Sequence, residues 1–145
     1  MSPVTAYRCR SMSFRHTIKV RYGECDMQGV VFNAHYLAYA DDAVMQWFLS
    51  ALPADAMYVA GNHAATLDFM AKKVVVTWAA GSTVNDMVDL DCSVDRWGNT
   101  SFDVVVRGSV GGAERFDVVL TYVCVTPGTH QPCRVPFELK EALTK

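Results

Sequence analysis

The densest run of chemically capable side chains is Tyr22-Gly23-Glu24-Cys25-Asp26-Met27-Gln28-Gly29-Val30-Val31-Phe32-Asn33-Ala34-His35-Tyr36. Asp26 lies in a glycine-bearing turn just ahead of a segment whose apolar spacing becomes helical. The first turn of a helix carries backbone N–H groups without partners, and the positive end of the helix dipole adds to their pull. Such a terminus can hold a developing oxyanion. A carboxylate beside it can act as general base or nucleophile on the carbonyl whose oxygen the amides receive. That pairing suits acyl transfer or hydrolysis.

Each of these residues also has a plainer use. Asp26 can cap its own turn through an Asx-type hydrogen bond. Glu24 reads as a structural acceptor or solvated charge, with a paired-carboxylate role beside Asp26 as the minor alternative. Asn33 suits the N-cap of the helix, and His35 falls in its first turn. His16 sits on the apolar face of the first strand, as a core or interface residue. Cys25 with His16 or His35 would make a nucleophilic pair, but a buried thiol ordinarily behaves as a small hydrophobe. Asp89, Asp91 and Asp95 recur every second residue, as on a solvated strand face, and no histidine joins them; no metal site is expected.

The elements that must position this run follow from its flanks. Phe14, His16, Ile18, Val20 and Tyr22 alternate with Arg15, Thr17, Lys19 and Arg21, a strand with one buried face. After Asn33, the residues Leu37, Ala40, Val44, Trp47, Phe48 and Ala51 fall at helical spacing, and Pro53 closes the helix. The rest reads as sheet: Lys73 to Trp78, Val88 to Val94, Phe102 to Arg107 and Phe116 to Thr126, with turn signals at Gly98-Asn99 and Gly111-Gly112. Strands in hairpin succession pair antiparallel. The last strand, apolar on both sides, calls for more cover than one helix gives, which points to a second subunit. Phe137 to Lys145 suits a short terminal helix.

The stretch from Arg21 to Leu37 closely resembles the signature of the 4-hydroxybenzoyl-CoA thioesterase-like family of hotdog-fold acyl-CoA thioesterases. The resemblance continues through Trp78-Ala79-Ala80-Gly81-Ser82-Thr83-Val84-Asn85-Asp86 and through Arg134-Val135-Pro136 with Leu139 and Leu143, covering roughly residues 14–143 in order. It implies an α+β hotdog fold, an antiparallel five-stranded sheet wrapped around one long central helix. It also implies homodimers or homotetramers with sites at subunit interfaces. The family's carboxylate falls on Asp26, and its oxyanion-binding amide falls around Asn33 and Ala34. Gly29, Val30, Tyr36 and Trp78 would border the substrate, and Lys72, Lys73 and Arg134 are the basic candidates for coenzyme A phosphates. Part of the family carries His where this chain has Asn33 and Asn where it has His35, so that role is either lost or moved to His35. Asn85 stands where Gly is usual.

Composition sets the bounds. The 145 residues make one domain, with residues 1–13 as an extension and 14–145 as the body, and 51% hydrophobic content is that of a globular protein. A net charge of −2 gives no electrostatic case for nucleic acid, and no apolar run approaches a membrane span. Five scattered cysteines without a Cys-x-x-Cys pair suit reduced thiols in a cytoplasmic protein. The expected function is hydrolysis of an acyl-CoA or acyl-carrier-protein thioester, with no cofactor beyond coenzyme A as part of the substrate. The alternatives are a non-catalytic module that binds acyl thioesters and, third, a hotdog dehydratase or hydratase.

Overall fold

The computed structural model describes residues 14–57 and 64–145; the expected extension over 1–13 lies outside the described residues. Strand β1 (Phe14–Lys19) leads through a 3-10 turn (Tyr22–Glu24) to helix α1 (Asn33–Ala51). Strands β2 (Asp68–Trp78), β3 (Met87–Trp97), β4 (Ser101–Val110) and β5 (Ala113–Val125) follow, then helix α2 (Phe137–Leu143). The five strands form one antiparallel sheet in the order β1-β3-β4-β5-β2, so α1 carries the chain from one sheet edge to the other. This is the expected five-stranded sheet with a long helix packed against it.

Alternation in β1 appears as Phe14, His16 and Ile18 half-buried against exposed Arg15, Thr17 and Lys19. The strand stops at Lys19, earlier than its sequence pattern suggests. Tyr22, expected on the buried side, is 85% exposed because the chain has already entered the 3-10 turn. The buried stripe of α1 is Tyr36, Tyr39, Ala40, Ala43, Val44, Trp47 and Phe48, at the i, i+3, i+4 spacing of an amphipathic helix. Leu37 lies off that stripe and is 37% exposed. The N-cap is Phe32, not Asn33, and no side chain caps the helix. Instead the Phe32 amide donates to the Glu24 carbonyl (2.9 Å), so a main-chain contact fixes the entry of the chain.

The concave side of the sheet buries Val88, Leu90 and Cys92, Phe102, Val104 and Val106, and Phe116, Val118, Leu120 and Tyr122 against α1. Phe48 meets Phe69 edge-on at 5.0 Å, and Phe102 stacks on Tyr122 at 5.5 Å. Burial pushes the Cys92 and Cys124 thiols up to about 12, which suits packing rather than reactivity. The second face of β5 differs from expectation. Val119 and Val123 are only half-buried there, and Thr121 donates to Asp103 (2.7 Å), which Arg96 also engages (2.9 Å). That face combines these polar contacts with half-buried valines, and Val75 of β2 lies exposed opposite Val119. Exposed large apolar side chains include Met45 and Leu49 on α1 and Met70, Val75 and Trp78 on the edge strand β2.

Gly108 on β4 faces Phe116 on β5, and a Cβ there would stand 2.3 Å from the Phe116 ring. That ring in turn meets Tyr36 of α1 edge-on at 4.7 Å. Gly108→Ala must therefore displace an aromatic chain that reaches the helix. It should destabilise the fold by about 1–3 kcal/mol, read from the urea unfolding midpoint.

Candidate active site

The 3-10 turn delivers the chain to a small hairpin. Cys25 bridges Val31, and the Asp26 amide donates to the Val30 carbonyl (2.9 Å). Gly29 turns the tip with φ +79°, a conformation in which a side chain is strained. The hairpin is anchored from the far side by the segment after β2. There Val30 bridges Thr83, and the Val31 amide donates to the carbonyl of fully buried Ser82 (2.9 Å). Gly81 is needed at this contact, since a Cβ would come within 2.9 Å of a Val30 methyl. Asn85 adopts φ 70°, a left-handed conformation that Asn tolerates, so the turn into Asp86 survives the loss of the usual Gly.

Asp26 is half-buried, and its Oδ1 accepts from the Gln28 amide (2.8 Å) in an Asx turn. The capping use of this residue is therefore real. It leaves Oδ2 without a hydrogen-bond partner among the described residues. At the helix entry, the Phe32 amide is spent on Glu24 and the His35 amide on the Phe32 carbonyl (3.0 Å). Among the described residues, the amides of exposed Asn33 and Ala34 are left open, as a helix terminus dictates. His35 is half-buried with its ring edge-on to Phe32 at 6.3 Å.

A cavity of about 250 Å³ beside the carboxylate is lined by Tyr22, Gly23, Cys25, Asp26, Gly29 and Val84. Tyr22, Gly23 and Val84 stand in the motif segments but were not among the candidate site residues; only their nearness to Asp26 along the chain and to Asp86 could have pointed to them. Tyr36 is buried between Phe116 and the half-exposed Trp78, which it meets edge-on at 5.6 Å. Burial raises the Tyr36 phenol, while neighbouring Ser82 pulls it back. Lys72 and Lys73 do not join this site. Both are exposed on β2, and Lys73 lines a different hollow with Asp103 and Thr121 on the outer face of the sheet. Arg134 is drawn to Asn99 (3.3 Å) at the β3–β4 turn.

Other candidates are accounted for locally. Cys25 directs its thiol at the Arg21 carbonyl (3.9 Å), while His16 is engaged by Asp42 of α1 (3.0 Å). Asp89 and Asp91 accept from Thr17 and Arg15 across the β1–β3 pair. Glu24 does not pair with Asp26; it lines a separate cavity of about 410 Å³ with Ile18, Lys19, Arg21, Ala38, Tyr39 and Asp42.

Residues 20–143 match the thioesterase-like superfamily. The chain belongs to that family. Among solved structures it resembles the 1,4-dihydroxy-2-naphthoyl-CoA thioesterase from Synechocystis, with TM-score 0.77, 14% identity and coverage of 91% of this chain and 96% of that one. It resembles a gentisyl-coenzyme A thioesterase with TM-score 0.76, 16% identity and coverage of 91% and 100%. The dynemicin thioesterase matches with TM-score 0.77, 20% identity and coverage of 90% and 89%. At such identities these likenesses establish the shared fold. No curated protein matches the chain in sequence. Among the described residues, no helix is long and apolar enough to cross a membrane.

Glu24 supplies a pH test of this entry region. Burial alone would raise its carboxyl, but hydrogen bonds from the Arg21 backbone, the Arg21 side chain and the Tyr39 hydroxyl hold it below the usual value. The carboxylate's stabilisation is thus fully present above the ordinary glutamate range and is lost as pH falls through the lowered folded value. Glu24→Gln should flatten the acid limb of the melting temperature against pH, measured by circular dichroism.

Proposed function

We propose that this protein hydrolyses acyl thioesters, carried on coenzyme A or on an acyl-carrier protein, with Asp26 as the reacting carboxylate. The observation that carries the reading is the hairpin itself. It holds Asp26 with one oxygen fixed by the Gln28 amide, ahead of a helix; among the described residues the other oxygen and the Asn33 and Ala34 amides have no partner. Membership of the thioesterase-like superfamily supports the same chemistry.

The steps follow from those groups. A thioester carbonyl placed at the start of α1 accepts hydrogen bonds from the Asn33 and Ala34 amides, which strengthen as negative charge builds on the oxygen. Asp26 either removes a proton from attacking water or attacks the carbonyl carbon itself. In the second course a mixed anhydride forms, the thiolate leaves, and water then releases the acid. Collapse of the tetrahedral adduct breaks the carbon–sulfur bond and the thiolate takes up a proton. Gly29 and Val30 would shape the approach, His35 would flank it, and Tyr36 with Trp78 would offer an aromatic wall to the acyl group. No cofactor is proposed beyond coenzyme A where it forms part of the substrate.

The site is also proposed to be completed by a second copy of the chain. Met45 and Leu49 on α1 and Met70, Val75 and Trp78 on the edge strand β2 are large apolar side chains left exposed on one chain, and a second copy would give them cover. Lys72 and Lys73 lie on that same edge strand. A role for them on coenzyme A phosphates therefore belongs to the site of the second copy rather than their own.

Thiol release from short, long and aromatic acyl-CoAs tests the reading. Asp26→Asn, which preserves the shape of the turn, should lower turnover by about 10²–10⁴ with the fold intact. Equal turnover in mutant and wild type would remove Asp26 from the reaction.

A further inference from the structure

We infer that Glu24 is the positioning residue that sets Asp26 and the first amides of α1 in register with each other, an inference that rests on the hydrolase reading above. Its side chain is almost fully buried, and both carboxylate oxygens are taken. Oε1 accepts from the Arg21 amide (2.8 Å) and from the Tyr39 hydroxyl (3.0 Å), and Oε2 from the Arg21 guanidinium (3.2 Å). Its carbonyl oxygen receives the Phe32 amide (2.9 Å). One residue therefore bonds the exit of β1, the second turn of α1, and the residue that precedes the open helix amides.

These contacts span the two halves of the proposed site. Asp26 follows Glu24 by two residues, so whatever fixes Glu24 fixes the root of the hairpin. Tyr39 belongs to the helix, so its bond to Glu24 fixes where the helix start lies relative to that root. The phenol is held above its ordinary pKa by burial and by this carboxylate, so it stays a donor. Burying a charge is costly unless it is paired and hydrogen-bonded, and here every lone-pair direction used serves one of the two elements. Glu24 does not line the cavity beside Asp26 but a separate one, so it acts through the backbone and not on substrate. A displacement of the order of 1 Å between a carboxylate and an oxyanion donor can cost about 10²-fold in rate.

Kinetics on wild type, Asp26→Asn, Glu24→Gln, Glu24→Ala and Tyr39→Phe, with the best acyl-CoA of the panel, test this. Tyr39→Phe and Glu24→Ala should lower kcat by about 10–100-fold with KM little changed. Glu24→Gln should recover much of the loss, because its amide oxygen still accepts from Arg21 and Tyr39. Should Glu24→Ala fail to fold, Tyr39→Phe cuts only the tie to the helix and decides the matter. Folded Tyr39→Phe with wild-type kcat would overturn the inference. If wild type releases no thiol, or Asp26→Asn equals it, the hydrolase reading is what has failed. Amide exchange at Phe32 then decides positioning alone: faster exchange in Tyr39→Phe upholds it, and unchanged exchange overturns it.

Discussion

Ala40 and Ala43 sit on the buried stripe of α1 with no exposed surface at all, and they let the helix lie close on the sheet. Larger side chains flank them: Tyr36 and Tyr39 toward the helix start, Trp47 and Phe48 toward its end. This close seating is the constraint on which the rest depends. With the helix axis fixed by small residues at its middle, Tyr36 reaches Phe116 and Tyr39 reaches Glu24. The open amides at Asn33 and Ala34 are then held by the sheet, two turns removed, rather than by any contact of their own. A close-packed interior transmits position in this way because it cannot deform smoothly.

Most of the fold was legible in period and punctuation. The alternation of Val88, Leu90, Cys92 and Val94 marked β3, and Gly98-Asn99 and Gly111-Gly112 marked the turns on either side of β4. What misled was local. Tyr22 continued the alternation of β1 by type, yet the backbone left the sheet at Val20, whose amide bonds Asp86 instead of a strand partner. Leu37 fitted a helical stripe by hydrophobicity, while Tyr36 and Tyr39 held the buried positions because their rings fill space and the Tyr39 hydroxyl finds Glu24. Strand β2 begins five residues before its β-branched run, at Asp68, because pairing with β5 recruits residues that carry no strand signal of their own.

The site divides in the same manner. Asp26, Gly29 and the helix start were visible as a run, since chain neighbours must be neighbours in space. Their support was not. The bridge from Val30 to Thr83 and the bond from Val31 to Ser82 join segments some fifty positions apart along the sequence. Only the sheet topology, with β1 and β2 on opposite edges, brings them together. Lys72 and Lys73 show the converse. They looked like partners for phosphate by charge, but strand direction carries them down β2 and away from the hairpin, as a rise of about 3.3 Å per residue requires.

The strand order has a consequence for how the molecule comes into being. Strands β3, β4 and β5 follow one another by short turns and can pair as soon as they exist. By contrast, β1 must wait for β3, with Phe14 opposite Cys92, and β2 must wait for β5, with Asp68 opposite Val125. During synthesis the early part of the chain, Asp26 included, emerges before any of its anchoring partners. The hairpin cannot be clamped until Ser82 and Thr83 have followed, nor the helix seated until the meander behind it is complete. A segment that emerges ahead of its anchors is thus among the last to acquire its working shape.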